Sequence, residues 1–187
     1  MSENAILVSQ NGKAIGTCEK LKAHLEGRLH RAFSLMIVRK SESGFEFLLQ
    51  KRANDKYHSG DKWSNSCCSH PRPGENLVTA VNRRVTEELG IQQKLRLVEL
   101  PSVVYRAELD NGLTEYEYDH VFVCFDEIEL IQPNPEEVSE VSWISIEALT
   151  DQIELAPGQF TAWFTKIFVE VVDHLDSHER CVDKLAS

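Results

Sequence analysis

Cys68 and His70 stand two positions apart in the run Asn65-Ser66-Cys67-Cys68-Ser69-His70-Pro71. In an extended segment side chains alternate, so this thiol and imidazole share one face while Cys67 and Ser69 take the other. Such a pair is a nucleophile with its base, a pair of metal ligands, or two small buried residues beside a turn. Further along, Glu115, Glu117 and Asp119 alternate through Glu115-Tyr116-Glu117-Tyr118-Asp119, and Val121 and Val123 continue the same face inward. Three acids running into an apolar row repel one another unless they sit at an exposed edge or a cation neutralises them. His24 and His30 lie upstream, and a histidine on its own is more often a surface or satisfied core residue than a ligand. Combined with His70, Glu115 and Glu117 they make a His3Glu2 set. That mixture of imidazole and carboxylate suits Mn²⁺, Zn²⁺ or Mg²⁺ better than Ca²⁺.

A further cluster closes a helical pattern, Arg83-Arg84-Val85-Thr86-Glu87-Glu88-Leu89-Gly90-Ile91, with Glu75 eight positions before Arg83. Arg84 and Glu88 are one turn apart, which by itself reads as a helix salt bridge worth ~0.3–0.5 kcal/mol.

The elements that must hold these residues follow from patterning. Ala5 to Gln10 and Lys13 to Cys18 flank Asn11-Gly12, which predicts a hairpin with a type I′ turn. A polar, Lys-rich segment follows, then strands from Leu29 to Lys40 and Phe45 to Arg52 around Ser41-Glu42-Ser43-Gly44. Ala53 to Lys62 reads as a basic loop, and Trp63 to His70 as a short strand stopped by Pro71-Arg72-Pro73-Gly74. Leu77, Val78, Val81, Val85 and Leu89 recur at three- and four-residue steps, predicting a helix from about Asn76 to Leu89 that Gly90 stops. Two long strands, Leu95 to Leu109 and Leu113 to Phe125, meet at Asp110-Asn111-Gly112. Glu127 to Ser139 is acidic, holds Pro133 and Pro135, and reads as a surface loop, with a short strand at Val141 to Ile144. Phe160, Trp163, Phe164, Ile167, Phe168, Val171, Val172 and Leu175 form the apolar stripe of a closing helix. Trp163, just past Pro157-Gly158, is placed to face a pocket.

The 187 residues suit one domain, and 42% apolar with 27% charged residues excludes disordered and fibrous classes. No apolar run approaches the ~18 residues that cross a bilayer, and Met-Ser-Glu-Asn is not the start of a secretory signal. A cytoplasmic location is expected. The net charge of −10 repels phosphate backbones, so nucleic acid is not an expected partner. The five cysteines, Cys18, Cys67, Cys68, Cys124 and Cys181, read as reduced thiols rather than a disulfide framework.

The helical cluster resembles the Nudix box, G-x5-E-x7-R-E-U-x-E-E-x-G-U with U apolar. Glu75, Arg83, Val85, Glu87, Glu88, Gly90 and Ile91 match it; Ser69 replaces the first Gly and Arg84 replaces the Glu after Arg. Acids on one helical face hold Mg²⁺ against a diphosphate, because hard oxygens suit that ion. A cation at Arg84 weakens metal loading there and favours direct contact with phosphate oxygens.

Together with Arg28-Leu29-His30-Arg31-Ala32-Phe33-Ser34, the Trp63 to Pro71 run and Tyr116 between Glu115 and Glu117, the altered box resembles the type I isopentenyl-diphosphate Δ-isomerases over about residues 4–170. The resemblance implies an α/β fold, a Nudix-type α/β/α sandwich with a mixed sheet. It is laid out as an N-terminal hairpin (4–18), a catalytic core of about 28–150 and a closing helix of about 159–180, in one domain spanning 1–187. It implies interconversion of isopentenyl and dimethylallyl diphosphates by a 1,3 allylic proton shift through a tertiary carbocation. On this resemblance Cys68 and Glu117 are catalytic, Tyr105 assists, and Trp163 faces the cation. His24, His30, His70, Glu115 and Glu117 hold one divalent ion (Mn²⁺, Mg²⁺ or Zn²⁺). Glu88 and the Cys68 carbonyl hold a Mg²⁺ that arrives with the diphosphate, whose oxygens meet Lys20, Arg52, Lys56 and Arg84. The expected partner is a small isoprenyl diphosphate, with no membrane or nucleic acid, and the chain acts as a monomer or weak homodimer. Two alternatives stand beside it. A Nudix hydrolase of a nucleoside diphosphate derivative would release phosphate, and Arg84 counts against it. A zinc module on Cys67, Cys68 and His70 would unfold with chelators.

Overall fold

The computed structural model describes residues 4–42 and 44–185, with side chains placed for all of these except Asp110 and 178–185. Ser43 of the expected turn, both extreme ends and the Cys181 side chain lie outside that set; Cys18, Cys67, Cys68 and Cys124 are free thiols.

Strand β3 (His30–Ser41) is the hub of a ten-stranded mixed sheet. Along one edge it pairs in parallel with β9 (Thr114–Cys124), from His30 opposite Glu117 to Ile37 opposite Cys124. The other edge is divided. β6 (Cys67–Ser69) takes Phe33 to Leu35, and β4 (Gly44–Arg52) takes Ile37 to Ser41. β5 (Trp63–Ser64) and β10 (Val138–Ser145) extend β4, while β7 (Val98–Glu99) and β8 (Val103–Glu108) line the far edge of β9. The hairpin of β1 (Asn4–Val8) and β2 (Ala14–Glu19) joins where Leu7 meets His30.

The period-2 alternation of β3 and β9 sorts their side chains onto two cores. Phe33, Leu35, Ile37, Phe122 and Cys124 pack on Val81, Val85 and Leu89 of α2 (Leu77–Leu89). Met36, Val38, Val121 and Val123 pack on Leu149 of α3 (Ile146–Leu155) and on Phe164, Ile167, Phe168, Val171 and Leu175 of α4 (Phe164–Leu185). Each such side chain contributes ~1.5–3 kcal/mol when fully buried, so the two stripes fix the helices to opposite faces. The result is the expected α/β/α sandwich.

Several expectations are corrected. Only Gly12 of the first hairpin turn is left-handed (φ 75°), so the turn is not type I′, which needs two such residues; the Gly12 N–H closes on the Ser9 carbonyl instead. The Lys-rich segment contains a helix, α1 (Lys20–Leu25), and α3 was not anticipated. Ser145 caps α3 by accepting the Ala148 N–H, and Ile146, Leu149 and Ile153 carry its helical spacing. The strand expected from Leu95 to Leu109 is broken between β7 and β8, where Pro101 cannot donate to a ladder. The Trp63 to His70 strand is likewise two short ones, because the buried Asn65 and Ser66 side chains bond to neighbouring strands. The acidic loop ends at Glu137, and Val138 and Ser139 already belong to β10. The closing helix starts at Phe164, after a short turn at Pro157–Gln159, so Phe160 and Trp163 precede it. α2 starts as expected, with the Asn76 side chain accepting the Val78 and Thr79 N–H groups, but Val78 faces solvent.

Candidate active site

Glu117 occupies the centre of a three-strand row. On β9 it pairs with His30 of β3 on one side and Tyr105 of β8 on the other, and side chains paired across strands share a face. Glu115, Glu117 and Asp119 are all buried, which removes the exposed acidic edge as an explanation. His24 joins them from α1. The Arg28 N–H bonds to the Ala23 carbonyl and the Gly27 N–H to that of His24, with Gly27 left-handed at φ 58°. This is a Schellman stop, and it turns the short His24 to Arg28 connection straight into β3. His70 follows β6, whose Cys68 pairs with Ser34 of β3.

Ligand atoms of His24, His30, His70, Glu115 and Glu117 all lie within 4.8 Å of one another. The imidazoles are oriented for coordination. His24 Nδ1 lies 2.7 Å from the Lys20 carbonyl and His30 Nδ1 2.7 Å from the Arg28 carbonyl. A carbonyl only accepts, so both Nδ1 atoms carry a proton, which leaves the inward-facing Nε2 of each ring as the atom to ligate a cation. There, His30 Nε2 is 3.1 Å from His70 Nε2, His70 Nε2 is 2.7 Å from Glu117 Oε1, and His24 Nε2 is 3.3 Å from Glu115 Oε2. His24 Nε2 and Glu115 Oε2 are buried and make no hydrogen bond. Unpartnered nitrogen and oxygen donors converging on one point fit a divalent cation.

Burial and the Glu117 charge push the Glu115 carboxyl up to about 7. Burial also opposes ionisation of Glu117, but contacts with His30 and His70 prevail and hold its carboxyl well below the usual carboxylate range. Burial, helped by the Lys20 charge, lowers His70 to about 3. Asp119 is raised by burial and by Glu117; its Oδ2 accepts from Ser34 Oγ at 2.7 Å.

Cys67 and Cys68 point to opposite faces, as the alternation predicts. Cys67 is fully buried among Val81, Val85 and Leu89, while Cys68 lines a cavity with Glu117, Tyr105 and Trp163. The Cys67–Cys68–His70 zinc arrangement is therefore not assembled. Burial pushes the Cys68 thiol up to about 12, against the opposing pull of the Arg52 charge, and its sulfur lies 3.5 Å from Ser64 Oγ. The Tyr105 hydroxyl donates to Glu117 Oε2, and burial beside that carboxylate raises it well above an ordinary phenol. Trp163 is fixed by its ring N–H, which donates to Asn65 Oδ1 at 3.2 Å, while Asn65 Nδ2 ties to the Leu35 and Cys67 carbonyls.

Lys20, Arg52, Lys56 and Arg84 line the same cavity, together with Glu88. Arg84 keeps its helix partner, 2.6 Å from Glu88 Oε1, and also reaches Glu87 at 2.8 Å and Glu137 at 3.0 Å. Burial opposes its charge, but these carboxylates, Glu88 foremost, raise its pKa further. Lys56 meets Glu137 at 2.6 Å. Arg52 is different: it is buried, with no carboxylate in ion-pair range and an unpartnered Nε among the described residues. A buried guanidinium without a counter-ion at a cavity wall is a ready anion site.

Sequence reasoning passed over four of these residues. Glu137 was counted in a surface loop, Gln50 (2.8 Å from Glu88) and Asn65 in strands, and His58 in a basic loop. His58 is buried, with Nε2 3.1 Å from Glu115 Oε1; burial and the Arg52 charge lower it to about 3. The available signal was weak, a lone histidine in Lys56-Tyr57-His58-Ser59-Gly60.

Comparison with known proteins places the chain in a family. The NUDIX domain family matches residues 28–164. An isopentenyl-diphosphate Delta-isomerase of Photobacterium profundum is 47% identical over 177 residues, 95% of this chain and 98% of that protein. One from Aliivibrio fischeri is 46% identical over 177 residues, 94% and 98% of the respective chains. Among solved structures, a Deinococcus radiodurans protein aligns with TM-score 0.65 at 18% identity, covering 82% of this chain and 90% of that one. The NUDIX domain of Shewanella oneidensis NrtR aligns with TM-score 0.61 at 13% identity, covering 79% and 87%, and these two likenesses speak to the fold alone. With a Nudix fold, an Arg in place of a box Glu and near-full-length relatives of one name, the chain belongs to the isopentenyl-diphosphate Delta-isomerase family of NUDIX proteins.

Proposed function

We propose that Cys68 and Glu117 are the acid–base pair with which this chain performs its family's reaction, and that the whole chain works as one catalytic unit. Family membership makes the protein an isomerase that interconverts isopentenyl diphosphate and dimethylallyl diphosphate. A proton adds to the terminal alkene carbon, the tertiary cation forms, and a proton leaves C2, so nothing is gained or lost overall. One group of the pair gives a proton and the other takes one.

The observation that carries this reading is the division of labour between the two oxygens of Glu117. Oε1 meets His70 at 2.7 Å and His30 at 3.5 Å, while Oε2 meets the Tyr105 hydroxyl. One oxygen is turned to the imidazole group and the other to a phenol at the cavity wall. His24, His30, His70, Glu115 and Glu117 would hold one divalent ion (Mn²⁺, Mg²⁺ or Zn²⁺), which would orient the Glu117 carboxylate, and Glu88 with the Cys68 carbonyl would hold a Mg²⁺ brought with the diphosphate, which would offset substrate charge. Tyr105 holds or relays a proton at Oε2. Trp163 offers a π face to the cation, worth ~2 kcal/mol in a dry site. That is a minor share of the ~8–23 kcal/mol enzymes remove, so exclusion of water and placed proton carriers supply most.

Arg52, Lys56, Arg84 and Lys20 take the diphosphate. Hydrolysis is the poorer reading, because Arg84 stands where a hydrolase has a carboxylate and leaves that box position without a metal-binding oxygen. Incubation with isopentenyl diphosphate and Mg²⁺ tests the proposal. Wild type yields the allylic isomer without free phosphate, Cys68→Ala and Glu117→Gln yield none while folded, and release of inorganic phosphate would sink it.

A further inference from the structure

His58 belongs neither to the five-residue group nor to the diphosphate cations, yet it touches both. Its Nε2 lies 3.1 Å from Glu115 Oε1, the oxygen turned away from His24. Its carbonyl accepts from Arg52 Nη2 at 3.3 Å, and its ring meets Trp163 edge-on with centroids 6.1 Å apart. A carboxylate that ligates a metal only accepts, so beside it Nε2 carries the ring proton, and Nδ1 takes the hydroxyl hydrogen of Ser59 at 3.2 Å. Ser59 is left-handed at φ 51°, and a side chain on Gly60 would collide with the Asn54 carbonyl at 2.3 Å, so the loop grips this histidine in one position.

We infer that His58 is a positioning residue for the metal group: it holds Glu115 Oε1 and thereby turns Oε2 toward His24 and the ion. The inference rests on reading His24, His30, His70, Glu115 and Glu117 as a metal site. It assigns the two carboxylate oxygens different duties, one inward to the ion and one outward to an imidazole N–H. Carboxylates that ligate metals depend on such outer hydrogen bonds for orientation, and losing one costs ~10–100-fold in affinity.

Two substitutions separate the contact of Nε2 with Glu115 from the packing. His58→Phe keeps a ring against Trp163 and Tyr57 but has no donor; His58→Gln loses the ring but offers an amide N–H to Oε1. Mn²⁺ binding to the metal-stripped full chain is read by calorimetry and by the spin-resonance signal of free Mn²⁺, with circular dichroism to verify folding. The expected result is a dissociation constant raised about tenfold or more in H58F and restored to within about threefold of wild type in H58Q. Wild-type affinity in H58F, or equal loss in both variants, overturns the role of His58. Failure of wild type itself to bind Mn²⁺, or unchanged binding in His24→Ala, would instead refute the metal site.

Discussion

His24 Nε2 lies 3.3 Å from Glu115 Oε2, and neither buried atom makes a hydrogen bond. His24 Nδ1 donates to the Lys20 carbonyl, so with no proton or cation between them Nε2 would set a lone pair against a carboxylate lone pair. A proton or a metal cation relieves that repulsion, and the two compete for one position. In the metal-free protein the pull of that proton shows on both partners: burial and Glu117 push the Glu115 carboxyl up to about 7, and, against burial, contact with Glu115 raises His24.

Metal affinity should therefore depend on pH. Below about 7 an ion must displace the Glu115 proton, so the Mn²⁺ dissociation constant rises about tenfold per pH unit, and it flattens above that point. Calorimetric titrations across this range measure it; a constant value throughout would contradict the competition.

His58 and His70 should make the metal-free fold sensitive to acid. They are held at about 3 against an ordinary 6.5, so between those values the unfolded chain binds protons that the fold refuses, and their share of the stability falls as pH falls through that window. The lowered Glu117 adds to that loss below an ordinary 4.5, while Glu115, Asp119 and His24 are raised and act in the opposite sense. His58→Phe removes one of the two refused protons, so on going from about pH 6.5 to about pH 4 its melting temperature should fall less, or rise more, than that of wild type, by differential scanning fluorimetry. Parallel pH profiles for the two proteins would contradict it.

Cys68→Ala and Glu117→Gln should each lower turnover by at least ~10²–10⁴-fold, the scale of a lost proton carrier. Tyr105→Phe should cost less, since Glu117 keeps its oxygens. Cys67→Ala should leave turnover intact, because that thiol packs against Val81 and Val85 on the opposite face. Steady-state kinetics on folded variants decide it, and a dead Cys67→Ala would move the reactive thiol by one residue.

Glu137 holds Lys56 at 2.6 Å and Arg84 at 3.0 Å, the cations assigned to the diphosphate. It competes with the substrate for them and repels its charge. Glu137→Gln should lower KM about two- to fivefold, the worth of a partly exposed ion pair. A raised KM would show that Glu137 instead holds the two cations ready.

The legible parts of the chain were those with local rules. Alternation along β9 put Glu115, Glu117 and Asp119 on one face, alternation along β6 separated Cys67 from Cys68, and helical spacing with the Asn76 cap set α2. Pairing across the sheet is non-local, so the His30–Glu117–Tyr105 row could be reached only through resemblance. α1 was hidden because six residues make too short a periodic signal, although Gly27 marked its end. His58 and Glu137 escaped because each is a polar residue in a loop, and only tertiary packing buries them against the site.

The central claim is that one ion gathers three imidazoles and two carboxylates and holds Glu117 at the wall of the cavity that Cys68 shares. Anomalous scattering from crystals grown with Mn²⁺ tests it most directly. The account predicts a peak bonded to His24, His30, His70, Glu115 and Glu117. A peak on Glu87 and Glu88 with none among the histidines would contradict it.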